Sequence, residues 1–82
     1  MQRYFFHLHR PGHMLKDEEG QLLHDADDAW AAAHATARAL MASDPQGTSE
    51  WLTCRFEVTD HEGTTLLEVS FHEAVEPRGE PN

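Results

Sequence analysis

The chain is poor in cysteine, in basic residues and in long apolar runs. Cys54 is its one cysteine, which excludes an internal disulfide and a Cys-rich zinc site and suits a reducing compartment. No apolar run approaches the roughly 18 residues of a membrane-spanning helix. The opening Met1-Gln2-Arg3-Tyr4-Phe5-Phe6 lacks the apolar core and small-residue cleavage site of a signal peptide, so a cytoplasmic location is expected. Six basic residues face 15 acidic ones, for a formal net charge of −9. That field repels nucleic acid and anionic membrane, so neither is an expected partner. A phosphate loop, a Gly-x-Ser-x-Gly elbow, a dinucleotide fingerprint and a Ser/His/Asp set are also missing. The expectation is a protein that is not an enzyme and has no catalytic residues.

What the chain does contain is organised by turns. Asp17-Glu18-Glu19-Gly20 precedes Gln21-Leu22-Leu23, and Asp60-His61-Glu62-Gly63 precedes Thr64-Thr65-Leu66-Leu67. Each is an Asp-x-Glu-Gly turn that feeds an apolar run: Asp binds nearby backbone N–H groups and Gly accepts φ > 0. An EF-hand calcium loop needs a different ligand spacing, so turn chemistry accounts for both. With 82 residues there is room for one domain, expected over residues 1–76, with a disordered tail over 77–82 that holds Pro77 and Pro81. A chain this short buries only roughly 60–65% of its unfolded surface, and self-association is a common remedy.

Between the turns lies a helix pattern. Asp25 is the expected N-cap, with Asp27 and Asp28 in the first turn, where carboxylates favour the dipole. Ala26 to Ala42 holds nine alanines and no Gly or Pro. Ala29, Ala33, Ala37, Leu40 and Met41 form one stripe, with Trp30 at its edge. Small residues there allow close approach to a sheet. Trp30 and His34, four apart, form a surface pair.

The strands read by alternation. Tyr4, Phe6 and Leu8 share one face of the first strand, and Phe5, His7 and His9 the other. Its partner is Met14-Leu15-Lys16, or Gln21 to His24, or one bent strand; pairing across both pieces is favoured. Glu50 to Thr59 alternates too: Leu52, Cys54, Phe56 and Val58 point inward, against Trp51, Thr53, Arg55, Glu57 and Thr59 outward. Parity makes Cys54 a buried thiol, not a nucleophile. Thr64 to Phe71 returns with Thr65, Leu67, Val69 and Phe71 inward and Leu66 and Glu68 outward. The fold class is therefore α+β, β-β-α-β-β: an antiparallel sheet of about four strands with one helix packed on one face.

One helix leaves the other face uncovered. That face is the expected partner surface, through Phe5, His7, His9, Trp51, Arg55 and Leu66, and the expected partner is a second copy, docked by this face or by a sheet edge. Arg3, Arg10 and Lys16 give the first 16 residues a local basic character that an acidic surface would complement. Seven histidines in the chain raise an alternative, a zinc or nickel site on His7, His9 and His13 with a carboxylate from a neighbouring strand, or a small-ligand site. A Tyr4-Phe5-Phe6 strand also invites comparison with RNA-binding sheets, but Tyr4 and Phe6 fall on the core face.

Through Arg3-Tyr4-Phe5-Phe6-His7, the Asp17–Gly20 turn, the alanine-rich helix and Phe56-Glu57-Val58-Thr59-Asp60-x-x-Gly63, residues 2–76 resemble a family of short alphaproteobacterial proteins of unknown function. The resemblance implies a small stand-alone cytoplasmic protein and carries over no activity. The order of elements is also loosely similar to the HicB-type antitoxin fold, which adds an antitoxin-like or nucleic-acid-binding module as a third reading. The function expected is that of a non-enzymatic, homo-oligomeric interaction or regulatory module.

Overall fold

In a computed structural model that describes residues 1–75, Gln2–Arg10 forms β1, with the chain's first aromatic run at its middle. Two three-residue strands, β2 (His13–Leu15) and β3 (Gln21–Leu23), pair antiparallel with the two halves of β1 on the same side. Leu8 to Arg10 meets β2 and Gln2 to Tyr4 meets β3, as pairing across both pieces requires. The connection Lys16–Gly20 leaves the sheet between them. On the other side β1 pairs with β4 (Arg55–Thr59), and β4 with β5 (Thr65–Ser70). The sheet is antiparallel throughout, with order β2/β3, β1, β4, β5. The tail expected over 77–82 lies outside the described residues.

Helix α1 spans Ala26–Ser43, and its cap is as expected: Asp25 Oδ1 accepts from the Asp28 N–H at 3.0 Å. Ala29, Ala33, Ala37 and Met41 are buried on its sheet-facing stripe. Methyl-sized residues let α1 settle closely over Tyr4, Leu8, Phe56, Val58 and Val69, which point from the strands into the same core. Trp30 and His34 form the expected pair on its outer side, with ring centroids 3.8 Å apart.

Three local expectations are corrected. The strand expected from Glu50 begins only at Arg55. Pro45–Gly47 forms a 3-10 turn and Thr48–Trp51 a short helix, α2. Cys54 N–H donates to the Trp51 carbonyl at 2.9 Å, so the chain coils where alternation suggested extension. The reason is tertiary. In the coil the Trp51 ring stacks on Phe71, 5.6 Å away and nearly parallel, and its indole N–H donates to Asp44 Oδ2 at 3.1 Å. The Arg10 guanidinium also sits over the ring, 5.1 Å from its centre. An outward position on a strand would forfeit that burial. Trp51 therefore closes one end of the core and is not part of the uncovered sheet face.

The second correction is a bulge in β5. Val58 pairs with Leu67 but Thr59 with Thr65, which leaves Leu66 as the extra residue. Thr65 consequently turns outward, where its hydroxyl donates to Glu57 Oε2, and Leu66 stays exposed as expected. The third is at the end of β5. Phe71–Val75 is helical, α3, with Ser70 Oγ accepting from the Glu73 N–H at 3.0 Å. Ser70-Phe71-His72-Glu73 is a capping-box pattern, a signal present in the sequence and passed over. Phe71 still points inward and is fully buried.

Candidate functional site

The helix-free face is built from three cross-strand rows. Phe5, Thr59 and Thr65 form one, His7, Glu57 and Glu68 the next, and His9, Arg55 and Ser70 the third. Phe5, His7, His9, Arg55 and Leu66 all lie on this face, as the alternation predicts. Trp51 does not. The face is also less open than expected, because the Lys16–Gly20 connection folds back over it.

That fold-back follows from the interrupted partner strand. Between β2 and β3 the Phe6 N–H of β1 has no ladder acceptor. Asp17 supplies one: its Oδ2 accepts from Phe6 N–H at 3.0 Å. Its Oδ1 accepts from the Glu19 and Gly20 N–H groups at 3.1 and 3.2 Å. Gly20 has φ +72°, and a Cβ there would come within 2.7 Å of Arg3 and 2.9 Å of the Phe5 ring, so only glycine fits the return. The second Asp-x-Glu-Gly turn works the same way but reaches no further. Asp60 Oδ1 accepts from Glu62 and Thr64 N–H, each at 2.9 Å, and closes its own hairpin.

His7 ties the connection to the sheet from beneath. His7 is 9% exposed, a buried polar residue whose ring must be satisfied. Nδ1 accepts from the Asp17 N–H at 3.0 Å, and Nε2 lies 3.1 Å from Thr59 Oγ1. A backbone N–H is always a donor, so Nδ1 must be the bare nitrogen. The proton therefore sits on Nε2, which donates to Thr59. This assignment has a chemical consequence. A histidine that activates a hydroxyl needs a bare nitrogen towards that hydroxyl and an N–H towards an acceptor. Here the orientation is reversed, and His7 has no lone pair left to take a proton from Thr59.

Next to it, Glu57 bridges two neighbours. Oε1 lies 2.7 Å from His9 Nε2, diagonally across β1, and Oε2 accepts from the Thr65 hydroxyl on β5. The Thr65 hydrogen bond first, and His9 second, hold the Glu57 carboxyl below the usual carboxylate range. For Asp17 burial pushes upward, but the amides of Phe6, Gly20 and Glu19 and the nearby His7 outweigh it, and that carboxyl is also held low. A carboxyl whose folded value is depressed adds stability in full above its unfolded value of about 4, and loses it as pH falls through the folded value. Urea midpoints measured across an acid series should therefore drop below about pH 4, and Asp17→Asn should flatten part of that slope.

The candidate metal ligands are not assembled. His13 pairs with Arg10 at the tip of the β1–β2 hairpin, His9 is engaged by Glu57, and both His7 nitrogens are hydrogen-bonded. Among the described residues no three His, Cys, Asp or Glu side chains come together as a metal-holding group. Cys54 is buried as predicted, and burial pushes its thiol up, away from the reactive thiolate. What the face does present is a cleft of about 530 Å³ floored by Phe5, His7 and Thr59, with Lys16–Glu18 on one side and Asp60–Gly63 on the other. The Phe5 ring lies parallel to His7 at 6.5 Å. Thr59 and Asp17 are the two members of this cluster that sequence reasoning left out. Their partners lie 52 and 11 residues away, so local pattern carried no signal of them.

Fold and face together define a class: a small α+β domain in which one main helix backs an antiparallel sheet and the opposite face carries a hydrogen-bonded cleft. The chain belongs to the family described as a domain of unknown function, DUF6894, whose model matches residues 3–72. Comparison with curated proteins and with solved structures returns no match. Among the described residues, no helix is long and apolar enough to cross a membrane.

Proposed function

We propose that this domain is a non-enzymatic interaction module that pairs with a second copy through the helix-free face of its sheet. The observation that carries the reading is the state of the polar groups there. His7, Asp17 and Glu57 are the groups best placed for chemistry, and each is committed to internal hydrogen bonds that hold the surface in shape. A face so cross-linked is suited to presenting a fixed surface. Phe5 lines the cleft, Leu66 stands on β5, and Leu22 lies opposite Arg3 in β3; both leucines are about half exposed. Arg55 and Glu68 pair at 3.3 Å on the same face and remain accessible at its surface. The domain measures 36 × 34 × 19 Å, so its broad side is large enough for the roughly 800 Å² per partner that a standard interface buries.

Static light scattering at micromolar concentration tests the reading. The expected mass is twice the 9.3 kDa of the single chain. Each copy carries −9, so added salt should strengthen association by screening the repulsion. Phe5→Asp combined with Leu66→Asp should return the single-chain mass with an unchanged far-ultraviolet circular dichroism spectrum. A wild-type protein that scatters as a monomer overturns the proposal.

A further inference from the structure

We infer that His7 is an acid-released latch: its neutral ring holds the Lys16–Gly20 connection on the sheet, and uptake of a proton by that ring lifts the connection and widens the cleft. The inference rests on donor and acceptor geometry. Nδ1 has a single lone pair, and the Asp17 N–H occupies it at 3.0 Å. An imidazolium carries N–H on both nitrogens and has no acceptor left. Two donors would then face each other across that 3.0 Å separation, at a residue only 9% exposed. The charged ring and the closed connection exclude one another.

The lifted state has its own bond available. Asp17 Oδ2, which now accepts from Phe6 N–H at 3.0 Å, is the neighbouring acceptor for a protonated Nδ1. Closed, the Asp17 amide donates to the ring and the Phe6 amide donates to the carboxylate. Lifted, the ring donates to the carboxylate and the Phe6 amide is released. The swap gives up the neutral Asp17 amide–ring bond and the charge-assisted Phe6 amide–carboxylate bond for a bond between two charged groups, which gives the connection two discrete arrangements.

Charged groups of several elements face the ring. On the connection, Asp17 and Glu18 favour an imidazolium and Lys16 opposes it. Glu57 of β4, in the same row as His7, favours it, as does Glu68 beyond it on β5. Asp60 and Glu62 of the far turn favour it across the cleft, where His61 also stands, and His9 shares the face of β1. The cations on the face are Lys16, Arg3, which donates to the Glu19 carbonyl, and Arg55, which pairs with Glu68 at 3.3 Å; the cost of the swap falls on the Asp17 amide contact and on the released Phe6 amide. Because Lys16–Glu18 is one wall of the cleft, acid changes the shape of the face assigned above to partner contact. That consequence rests on the proposed function; the latch itself does not.

Nuclear magnetic resonance of the whole chain tests it without any partner. Long-range imidazole spectra at about pH 7.5 should show His7 with the proton on Nε2. Asp17 amide exchange, corrected for intrinsic rate, should lose protection about tenfold per pH unit once the ring titrates, since opening takes up one proton. His7→Gln keeps an acceptor and a donor but cannot titrate, so its Asp17 protection should be flat between about pH 7.5 and 5. His9→Gln should retain the wild-type dependence. Should His7→Gln not fold, the wild-type measurement decides alone. An Asp17 amide that stays protected while the His7 ring becomes charged overturns the latch, as does wild-type pH dependence in His7→Gln. A monomeric scattering mass bears on the partner face and leaves this result untouched.

Discussion

Phe71→Ala is expected to cost about 3–5 kcal/mol, the range for deleting a fully buried aromatic side chain. Domains of this kind have total stabilities of roughly 5–15 kcal/mol, and short chains lie low in that range. The substitution therefore removes most of what holds the fold together. Phe71 is fully buried and touches two other rings, Phe56 at 5.2 Å and Trp51 at 5.6 Å. Its loss leaves a cavity under the 45–51 coil and unseats Trp51 from its stack. The melting temperature should fall by more than about 12 °C, at about 4 °C or more per kcal/mol for a domain this size. Trp51 fluorescence should shift towards that of a solvated indole before the global transition. Val75→Ala, four residues on and about half exposed, serves as the control and should change stability by less than about 0.5 kcal/mol. Equal effects from the two would show that α3 does not anchor the core as the structure has it.

Asp17→Ala is expected to have the largest effect on the candidate site. It removes the acceptor of the part-buried Phe6 N–H and of the Glu19 and Gly20 amides together. A buried donor left without a partner costs about 1–3 kcal/mol, so a loss in that range is expected from urea unfolding. The loss should be local in character. Amides of residues 16–20 and of Phe6 should exchange faster, while those of β4 and β5 keep their protection. Asp60→Ala makes the informative comparison. Asp60 closes only its own turn, so it should lose less stability and leave the 16–20 amides unchanged. If the two substitutions behave alike, Asp17 is no more than a turn residue and the account of the interrupted strand fails.

These two positions mark how far the sequence carried. α1 was legible to within a residue, because an Asp cap, an acidic first turn and an alanine stripe with four-residue spacing are local signals that agree with one another. The β4–β5 hairpin was legible at its turn, where Asp60 and Gly63 meet fixed backbone demands. The strand over 50–54 was misread because alternation alone does not count what a coil can bury. Trp51 gained Phe71 and Arg10 by coiling, and neither contact is visible from neighbouring residues. The bulge at Leu66 reversed Thr65 for a comparable reason: a single extra residue shifts parity, and nothing in the alternation marks where it enters.

By itself, the sequence determined the class of fold, the capped helix, the two Asp-x-Glu-Gly turns, the burial of Cys54 and the strand face on which Phe5, His7 and His9 stand. Each depends on periodicity or on turn chemistry over a few residues. Only the tertiary structure decided that β1 is bordered by a broken strand, that Asp17 fills the gap and that His7 is held in the Nε2–H form between the Asp17 amide and Thr59. Those bonds join residues brought together by the closure of the sheet. Which nitrogen of His7 carries the proton, and so what that face can do, is set by the Asp17 amide that the folded-back connection brings to it.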